Sequence, residues 1–373
     1  MRIGLPKEIK TEEYRVGLTP VAVKAFVQHG HAVLVQTGAG VGSGFMDDEY
    51  RSAGATIAET REQVFAEADM VVKVKEPLPE EFPLLREGQI LYTYLHLAAD
   101  KKLTQALLDR NVIGIAYETV ERDDGTLPLL TPMSEIAGRL SVQEGAKYLE
   151  KPFGGRGILL GGVPGIRRGK IVILGGGVVG TNACKMAIGI GADVTVLDIA
   201  SRRLTYLDDI FGTHITTLYS NESNIEESVA EADVVIGAVL IPGATAPRLV
   251  RRHHLKRMKR GAVIVDVAVD QGGCFETTRA TTHTDPVFIE EEVVHYGVAN
   301  MPGAVALSST MALTSVTYPL GLKIADLGVE KALQESLPLR KGLNVYKGAC
   351  TYAGVAESLN LPYTPIQDVI TGM

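Results

Sequence analysis

Residues 171–180 of this chain read Ile-Val-Ile-Leu-Gly-Gly-Gly-Val-Val-Gly, and 18 residues past Gly180 the apolar run Val194–Leu197 ends on Asp198. A β-branched strand, a glycine turn, a helix and a second strand closed by a carboxylate form the arrangement that grips a dinucleotide. Gly175 permits the tight turn, Gly177 lets a pyrophosphate approach the backbone, and Gly180 lets the helix pack close to the strand. The helix opens with Val178 and Val179, and its N–H groups and positive dipole end form an anion site. Asp198 is placed to accept both ribose hydroxyls, and its charge repels a 2′-phosphate, so NAD is expected rather than NADP. Arg202 and Arg203 complicate that choice, because a neighbouring arginine accommodates such a phosphate. A degenerate dinucleotide fold without a cofactor would share this outline.

In folds of this kind, ligands bind outside the carboxyl ends of the strands. Four polar residues meet that condition. Arg15 sits in the loop between the first strand and Thr19, Lys75 closes the run 70–75, His96 closes the run 90–96, and Asp270 lies just past a strand that ends near Val267. Arginine binds a carboxylate bidentately. Lysine polarises a carbonyl oxygen, histidine moves a proton near neutrality, and an aspartate beside a nicotinamide holds a water or an amine. The set fits hydride transfer on a small 2-hydroxy or 2-amino acid. Each residue also has a plainer reading. Lys73 and Lys75 alternate with Val72 and Val74, as on a solvated strand face. His96 fits a core histidine, Asp270 a turn former before Gly272-Gly273, and Arg15 a surface residue. His253-His254 lies in a basic run and reads as a solvated face. No histidine–carboxylate group has metal-ligand spacing, so no catalytic metal is expected.

The elements that must hold these residues alternate. Thr19-Pro20 supplies an N-cap and a proline at the first helical position, Val23, Phe26 and Val27 share a face, and Gly30 stops the helix. Strands are expected at 32–36, 70–75, 90–96 and 112–116, with helical stretches such as Lys101–Asp109 between them. Residues 121–132 are rich in turn formers and mark a boundary, and a helix is expected over 134–150. The glycine-rich stretch 154–169 reads as a connector rather than a second phosphate site. Strands then follow at 171–174, 194–197, 214–219, 234–237, 262–267 and 294–298, matching two mononucleotide-binding halves. After Pro302 the chain reads as mostly helical, without strand signals, and is expected to pack back on the N-terminal part. The fold class is α/β, with parallel sheets covered by helices.

A length of 373 residues suits about two domains of roughly 150 residues each. Apolar residues make up 46% and charged residues 22%, which is ordinary for a globular protein. The net charge of −7 carries no nucleic-acid footprint. Three widely spaced cysteines suit a reducing compartment. No apolar run approaches the ~18 residues of a membrane span, and Met1 opens directly onto strand-like Arg2–Leu5. A cytoplasmic protein is the expectation.

Several motifs carry a family resemblance. Gly4-Leu5-Pro6-Lys7-Glu8 with Glu13-Tyr14-Arg15-Val16-Gly17-Leu18-Thr19-Pro20 resembles the N-terminal signature of alanine dehydrogenases and of the nucleotide-binding subunit of proton-pumping transhydrogenase. The glycine turn through Asp198 resembles the second signature of that family. Lys73-Val74-Lys75-Glu76-Pro77, Tyr94-Leu95-His96-Leu97-Ala98 and Val298-Ala299-Asn300-Met301-Pro302-Gly303 also resemble alanine dehydrogenase. The resemblance spans the whole chain. It implies oxidative deamination of L-alanine by NAD to pyruvate and ammonium. Arg15 would then bind the substrate carboxylate and Lys75 the carbonyl oxygen, with His96 as acid/base and Asp270 as its catalytic partner. It further implies cofactor contacts from Ser134, Gly175, Gly177, Val178, Val179, Gly180, Asp198, Arg203 and Ser220, and from Val239, Leu240, Val267, Ala268, Val269, Asp270, Arg279, Val298, Ala299, Asn300 and Met301. The implied architecture is two doubly wound parallel-sheet domains. A Rossmann NAD-binding domain (129–303) is inserted into a Rossmann-like substrate domain (1–128 and 304–373). The homologous enzymes are hexamers, so a homo-oligomer is expected.

Two other readings share these features. A transhydrogenase-type nucleotide-binding subunit has the same signatures but does not need the Lys75 and His96 motifs. A non-catalytic NAD-sensing protein rests on analogy of fold alone.

Overall fold

The structure, a computed structural model, describes residues 1–239 and 246–370. It divides into two compact units, Met1–Met133 with Val305–Met373, and Ser134–Ala304. Short runs of apolar residues build the strands of both. In chain order these are β1 (Arg2–Leu5), β2 (Ala32–Gln36), β3 (Thr56–Ala58), β4 (Met70–Val72), β5 (Ile90–Thr93) and β6 (Ile113–Ala116). The second unit contributes β7 (Lys170–Leu174), β8 (Asp193–Asp198), β9 (Thr216–Tyr219), β10 (Val234–Gly237), β11 (Val263–Asp266), β12 (Val287–Glu290) and β13 (Val293–Tyr296). The first unit then resumes with β14 (Leu343–Tyr346) and β15 (Ala349–Cys350).

In the first unit, β3, β2, β1, β4, β5 and β6 lie side by side in that order, and every neighbouring pair is parallel. This is the 3-2-1-4-5-6 order of a doubly wound sheet. The second unit repeats it with β9, β8, β7, β10, β11 and β13, and β12 adds an antiparallel edge strand. Helices cover the sheets, so β4, β5, β6, β10 and β11 are buried at every position. Such strands read as continuous apolar runs rather than alternating ones. Phe65, Val71, Leu91, Leu107 and Val345 join one core. Val172, Leu197, Val235 and Ile264 join the other.

The helix Pro20–Gln28 begins where the sequence places it, with the Thr19 side chain accepting from the Ala22 N–H. Three expectations need correction. First, the tail after Pro302 is not purely helical. Leu343–Tyr346 forms β14, antiparallel to β6, and so extends the first sheet. It forms a short hairpin with β15, and its place in the sheet comes from pairing with a segment far upstream, which a four-residue run containing Asn344 does not announce. Second, the short strands β3 and β12 were not anticipated; β3 is only three residues long. Third, two strands end early, at Val72 and Thr93. Lys75 and His96 therefore stand on the loops that follow, not in the strands.

The turn after β7 tolerates little. Gly175 has φ +101°, and a Cβ on Gly180 would lie 1.9 Å from the Gly175 carbonyl oxygen. Gly180→Ala must push the helix Val178–Gly189 off the strand. The expected outcome is a lower thermal midpoint, with NADH binding weakened at least about tenfold as the turn loses its shape. Thermal unfolding and fluorescence titration with NADH check it.

Candidate active site

In the second unit, the residues assigned to the dinucleotide collect at the carboxyl edge of the sheet. Gly175–Val179 follow β7, Asp198 ends β8, Ser220 follows β9, and Val239 follows β10. Val267–Asp270 follow β11, and Val298–Met301 follow β13. The crevice of a doubly wound sheet opens where the strand order reverses, here between β7 and β10. A Cβ built on Gly177 meets nothing within 4 Å, so the turn leaves room for a pyrophosphate over its backbone. The Asp198 carboxylate braces the turn, accepting from the Gly176 N–H at 2.7 Å and from the Ala200 N–H at 2.8 Å. Each oxygen keeps a second lone pair for a ribose hydroxyl. The residues present fit a bound dinucleotide.

Arg203 is tied back onto this turn. It donates to the Gly176 carbonyl and to Thr181 Oγ1, and its guanidinium lies 4.5 Å from the Tyr206 ring centroid. Ser134 sits in the first turn of the helix Thr131–Tyr148, which packs against the Val179 carbonyl at Gly138. Arg279 is exposed and stacks over Phe288, 4.1 Å from the ring centroid. Asp270 is exposed, and its Oδ2 accepts from the Asn300 N–H at 3.4 Å. Asn300 itself has φ +64°. Leu240 lies outside the described residues.

The first unit gathers Arg15, Lys75 and His96 at the carboxyl edge of its own sheet. Arg15 is 3% exposed, and Glu13 grips it bidentately, taking Nε at 2.7 Å and Nη2 at 2.6 Å. This rules out the plainer reading of a surface arginine. Burial works against the guanidinium charge, but the Glu13 pairing prevails and holds its pKa above the usual value. The loop is pinned on both sides of Arg15: Ser43 Oγ donates to the Tyr14 carbonyl at 2.9 Å, and the Val16 N–H donates to Thr310 Oγ1 at 3.1 Å. Nη1 points to Met133 Sδ at 3.2 Å.

Lys73 and Lys75 do not share a solvated face. Lys73 is 1% exposed and is held between Glu8, at 3.0 Å, and Glu81, at 3.1 Å. Lys75 has no ion-pair partner among the described residues. Its pKa is lowered, first by burial and then by the nearby Arg15 charge. His96 adopts φ +50°, and its backbone N–H donates to Glu118 at 2.6 Å. Its Nδ1 lies 3.3 Å from Glu76 Oε2, and its ring stacks on Tyr94. Burial alone would raise the Glu76 pKa, but His96 and Lys10 outweigh it and hold the group well below the ordinary carboxylate range. His96 is therefore not a core histidine. Its side chain is 47% exposed, with Nδ1 oriented by a carboxylate.

Glu8, Glu13, Glu76 and Glu118 were not singled out from the sequence. The strand-end rule that selected Asp270 would have reached Glu76 and Glu118 as well, since each follows a strand by a few residues. Two further groups were weighed. In the stretch 154–169, the N–H groups of Gly155, Arg156 and Gly157 are taken by the carbonyls of Glu150, Gly261 and Leu149, so they form no phosphate cradle. The adjoining cavity of about 530 Å³ has its two arginines engaged, Arg156 with Asp233 and Arg260 with Glu292. Glu222, His253 and His254 bring possible ligand atoms within 4.8 Å of one another, although their sequence spacing shows no metal pattern. His254 is only 2% exposed, so it does not belong to a solvated face. Its Nδ1 accepts from the Arg251 N–H, which places the neutral ring's proton on Nε2 and leaves neither nitrogen a lone pair to offer.

Two family models match the chain: "Alanine dehydrogenase/PNT, N-terminal domain" over residues 4–137 and "Alanine dehydrogenase/PNT, C-terminal domain" over residues 141–353. An alanine dehydrogenase of Methanococcus maripaludis is 57% identical over 99% of this chain and 100% of its own length. Alanine dehydrogenase 2 of Staphylococcus aureus is 56% identical over the same shares. A solved L-alanine dehydrogenase superposes with a TM-score of 0.94 at 53% identity, covering 96% of this chain and 99% of that one. A transhydrogenase from Sinorhizobium meliloti shares the fold, with a TM-score of 0.82 at 24% identity over 95% and 99% of the two chains. On these matches, over nearly its whole length, the chain belongs to the alanine dehydrogenase/PNT family.

Proposed function

We propose that this protein is an NAD-dependent L-alanine dehydrogenase, catalysing L-alanine + NAD⁺ + H₂O ⇌ pyruvate + NH₄⁺ + NADH + H⁺. The observation that carries this reading is the grouping of Arg15, Lys75 and the Glu76–His96 pair at one sheet edge, in a chain whose other sheet edge bears the dinucleotide turn. A nucleotide-binding subunit alone has no need of that group. The near-full-length identity to alanine dehydrogenases supports the same reading.

The nicotinamide, when bound, supplies the acceptor for the hydrogen and electron pair that leave the substrate α-carbon. Gly175–Gly180, Asp198 and the loops after β10, β11 and β13 would hold the cofactor. NAD rather than NADP is supported by the Asp198 carboxylate and by the commitment of Arg203 to the turn. Arg15 binds the substrate carboxylate. Glu13 holds its Nε and Nη2 and so orients the guanidinium plane. The substrate amine first gives up its ammonium proton to solvent, and loss of the hydrogen with its electron pair then leaves an iminium at the α-carbon. His96 takes the proton of the water that adds to it. Its Nδ1–H faces Glu76, which presents Nε2 as the base. The carbinolamine collapses to pyruvate and ammonia, and the Lys75 ammonium stabilises the oxygen that appears. Asp270 stands on the second unit and is assigned to the amine or the attacking water. By family, the protein works as a cytoplasmic homohexamer without nucleic acid or membrane partners. Among the described residues, no helix is long and apolar enough to cross a membrane.

NADH formation with a panel of L-amino acids, and its reverse with pyruvate and ammonium, tests the activity. Alanine should lead the panel, and absence of turnover with alanine in both directions would refute the proposal. His96→Ala should lose most turnover while NADH binding survives. Glu76→Gln takes the charge from the bond to His96, worth about 1.5–3 kcal/mol, as well as from the one to Lys10, so kcat should fall roughly 10- to 150-fold with NADH affinity unchanged. Asp198→Ala should raise the NAD KM on the order of tenfold or more and narrow the preference over NADP, checked by parallel assays with both cofactors.

The lowered Lys75 pKa sets a pH limit. Pyruvate binding to the NADH-loaded protein, without ammonium, needs the charged form. It should weaken as pH rises, with a midpoint below the ~10.4 of an ordinary lysine.

A further inference from the structure

The sheet edge that carries Lys75 contains a buried charged group to which the mechanism above gives no role. Glu8 follows β1, and its side chain is 3% exposed. Its Oε1 accepts from the Val74 N–H at 2.6 Å and from the Lys75 N–H at 3.3 Å, while Oε2 accepts from Lys73 Nζ at 3.0 Å. Lys73 Nζ also donates to Glu81 Oε1 at 3.1 Å, and the other oxygen of Glu81 accepts from the Leu78 N–H at 2.9 Å. The Lys75 carbonyl in turn accepts from Thr93 Oγ1 at 3.1 Å. The Lys75 backbone is thus held at its nitrogen by β1's loop and at its oxygen by β5. These N–H groups lie past the end of β4 and have left its ladder, so buried carboxylates take the place of a strand.

We infer that Glu8 is a positioning residue for the reaction, fixing through its Oε1 the backbone of Lys75 and hence the place of the ammonium that faces the substrate oxygen. The inference rests on the alanine dehydrogenase reading. Glu8 acts through the backbone of Lys75 and does not touch substrate. Lys73 is its counter-ion. Burial pushes the Glu8 pKa up against the opposing pull of Lys73, and Glu8 and Glu81 together keep Lys73 charged. A plain core salt bridge would satisfy the charges equally well, without one oxygen reaching two consecutive N–H groups beside the reacting lysine. Replacing a buried ion pair by apolar residues often leaves stability unchanged, so the two roles can be separated.

Two double variants separate them. E8Q/K73M removes the ion pair but keeps an acceptor oxygen for the Val74 and Lys75 N–H groups. E8L/K73M removes both. The inference expects E8Q/K73M to hold kcat for pyruvate amination within about threefold of the wild-type chain. It expects E8L/K73M to lose on the order of 10- to 100-fold, the scale for a reacting group displaced by about 1 Å. The KM for NADH should stay in place. In E8L/K73M the pH midpoint of pyruvate binding should also move up, as Lys75 leaves its dry site. The groups acting on that lysine are Arg15 and Lys10, which lower its pKa, and Glu76 and Glu13, which raise it; all four remain in both variants. A merely structural role would scale kcat with the folded fraction and leave the pyruvate KM and the pH midpoint unmoved. E8D gives the same test with the ion pair kept, since its shorter side chain withdraws the oxygen from the two N–H groups. It too should lose kcat, and restoring Glu8 should rescue it. Equal kcat, pyruvate KM and pH midpoint in the two double variants, or an E8D chain matching wild type, overturns the inference. A wild-type chain that turns over no alanine or pyruvate overturns the alanine dehydrogenase reading instead, and the inference falls with it.

Discussion

Parallel strands in one sheet all release the chain at the same edge, and every assigned residue but Ser134 and Arg279 depends on that constraint. Both sheets follow the 3-2-1-4-5-6 order, so each has one point where the chain leaves neighbouring strands toward opposite faces. In the first unit that point lies between β1 and β4, and the loops after these strands carry Glu8, Arg15 and Lys75. In the second it lies between β7 and β10, and the loops carry the glycine turn and Val239. The fold gathers residues from distant parts of the chain without any of them needing to be close in sequence. It also creates a difficulty. Past the strand end the backbone loses its ladder partners, and its N–H groups must be satisfied some other way.

Carboxylates answer that difficulty at edge after edge. Glu8 takes the N–H groups of Val74 and Lys75, Glu13 that of Arg15, and Glu118 those of Leu95 and His96. In the second unit Asp198 takes those of Gly176 and Ala200, and Asp266 those of Ala268 and Cys274. Asp266 is 1% exposed, and burial pushes its pKa up to about 6 despite the hydrogen bonds it accepts. A side-chain acceptor fixes a loop more specifically than water does, because it is itself covalently tied to the chain. The parallel sheet determines roughly where the reacting groups stand, and the carboxylates determine where their backbones are held. Buried charges of this kind are weak contributors to stability. Their recurrence beside Lys75, His96 and the glycine turn is better explained by placement.

This division accounts for what the sequence discloses and what it hides. The glycine turn, Asp198 and the Thr19 cap are local: each works through neighbours a few residues away, so spacing alone reveals them. The buried strands are legible as apolar runs, although β4 and β5 end before the polar residues that seemed to close them. Lys73 and Lys75 show the limit. Their alternation with valine suggests one shared face, yet Lys73 is buried between Glu8 and Glu81, while Lys75 finds no ion-pair partner among the described residues. One partner of Lys73, Glu8, lies 65 residues upstream, and nothing local records it. The place of β14 in the sheet is hidden for a similar reason, since it is set by pairing with β6, far upstream, although β14 also forms a short hairpin with β15. His254 is hidden in the opposite sense. Its basic, polar surroundings in sequence suggest solvent, but its ring is buried.

His96 shows how far the placement goes. Its φ of +50° lies in the left-handed region, which costs a residue with a Cβ roughly 1–2 kcal/mol. Glycine would remove that cost, but it carries no side chain to serve as the acid/base of the proposed reaction. The strain is offset locally. The Glu118 carboxylate accepts the N–H groups of both Leu95 and His96, and hydrogen bonds to a charged group contribute about 1.5–3 kcal/mol each. The two bonds together exceed the conformational cost, and the pair holds the residue in the bend. The bend then turns the ring away from the continuing strand direction, onto Tyr94 and toward Glu76. An extended residue at this position would point to one face of the sheet or the other, as Tyr92 and Thr93 do. Strain at His96 is thus the means by which a half-exposed histidine past a strand end is turned out of the core and toward the loop that carries Glu76, with one nitrogen beside a carboxylate.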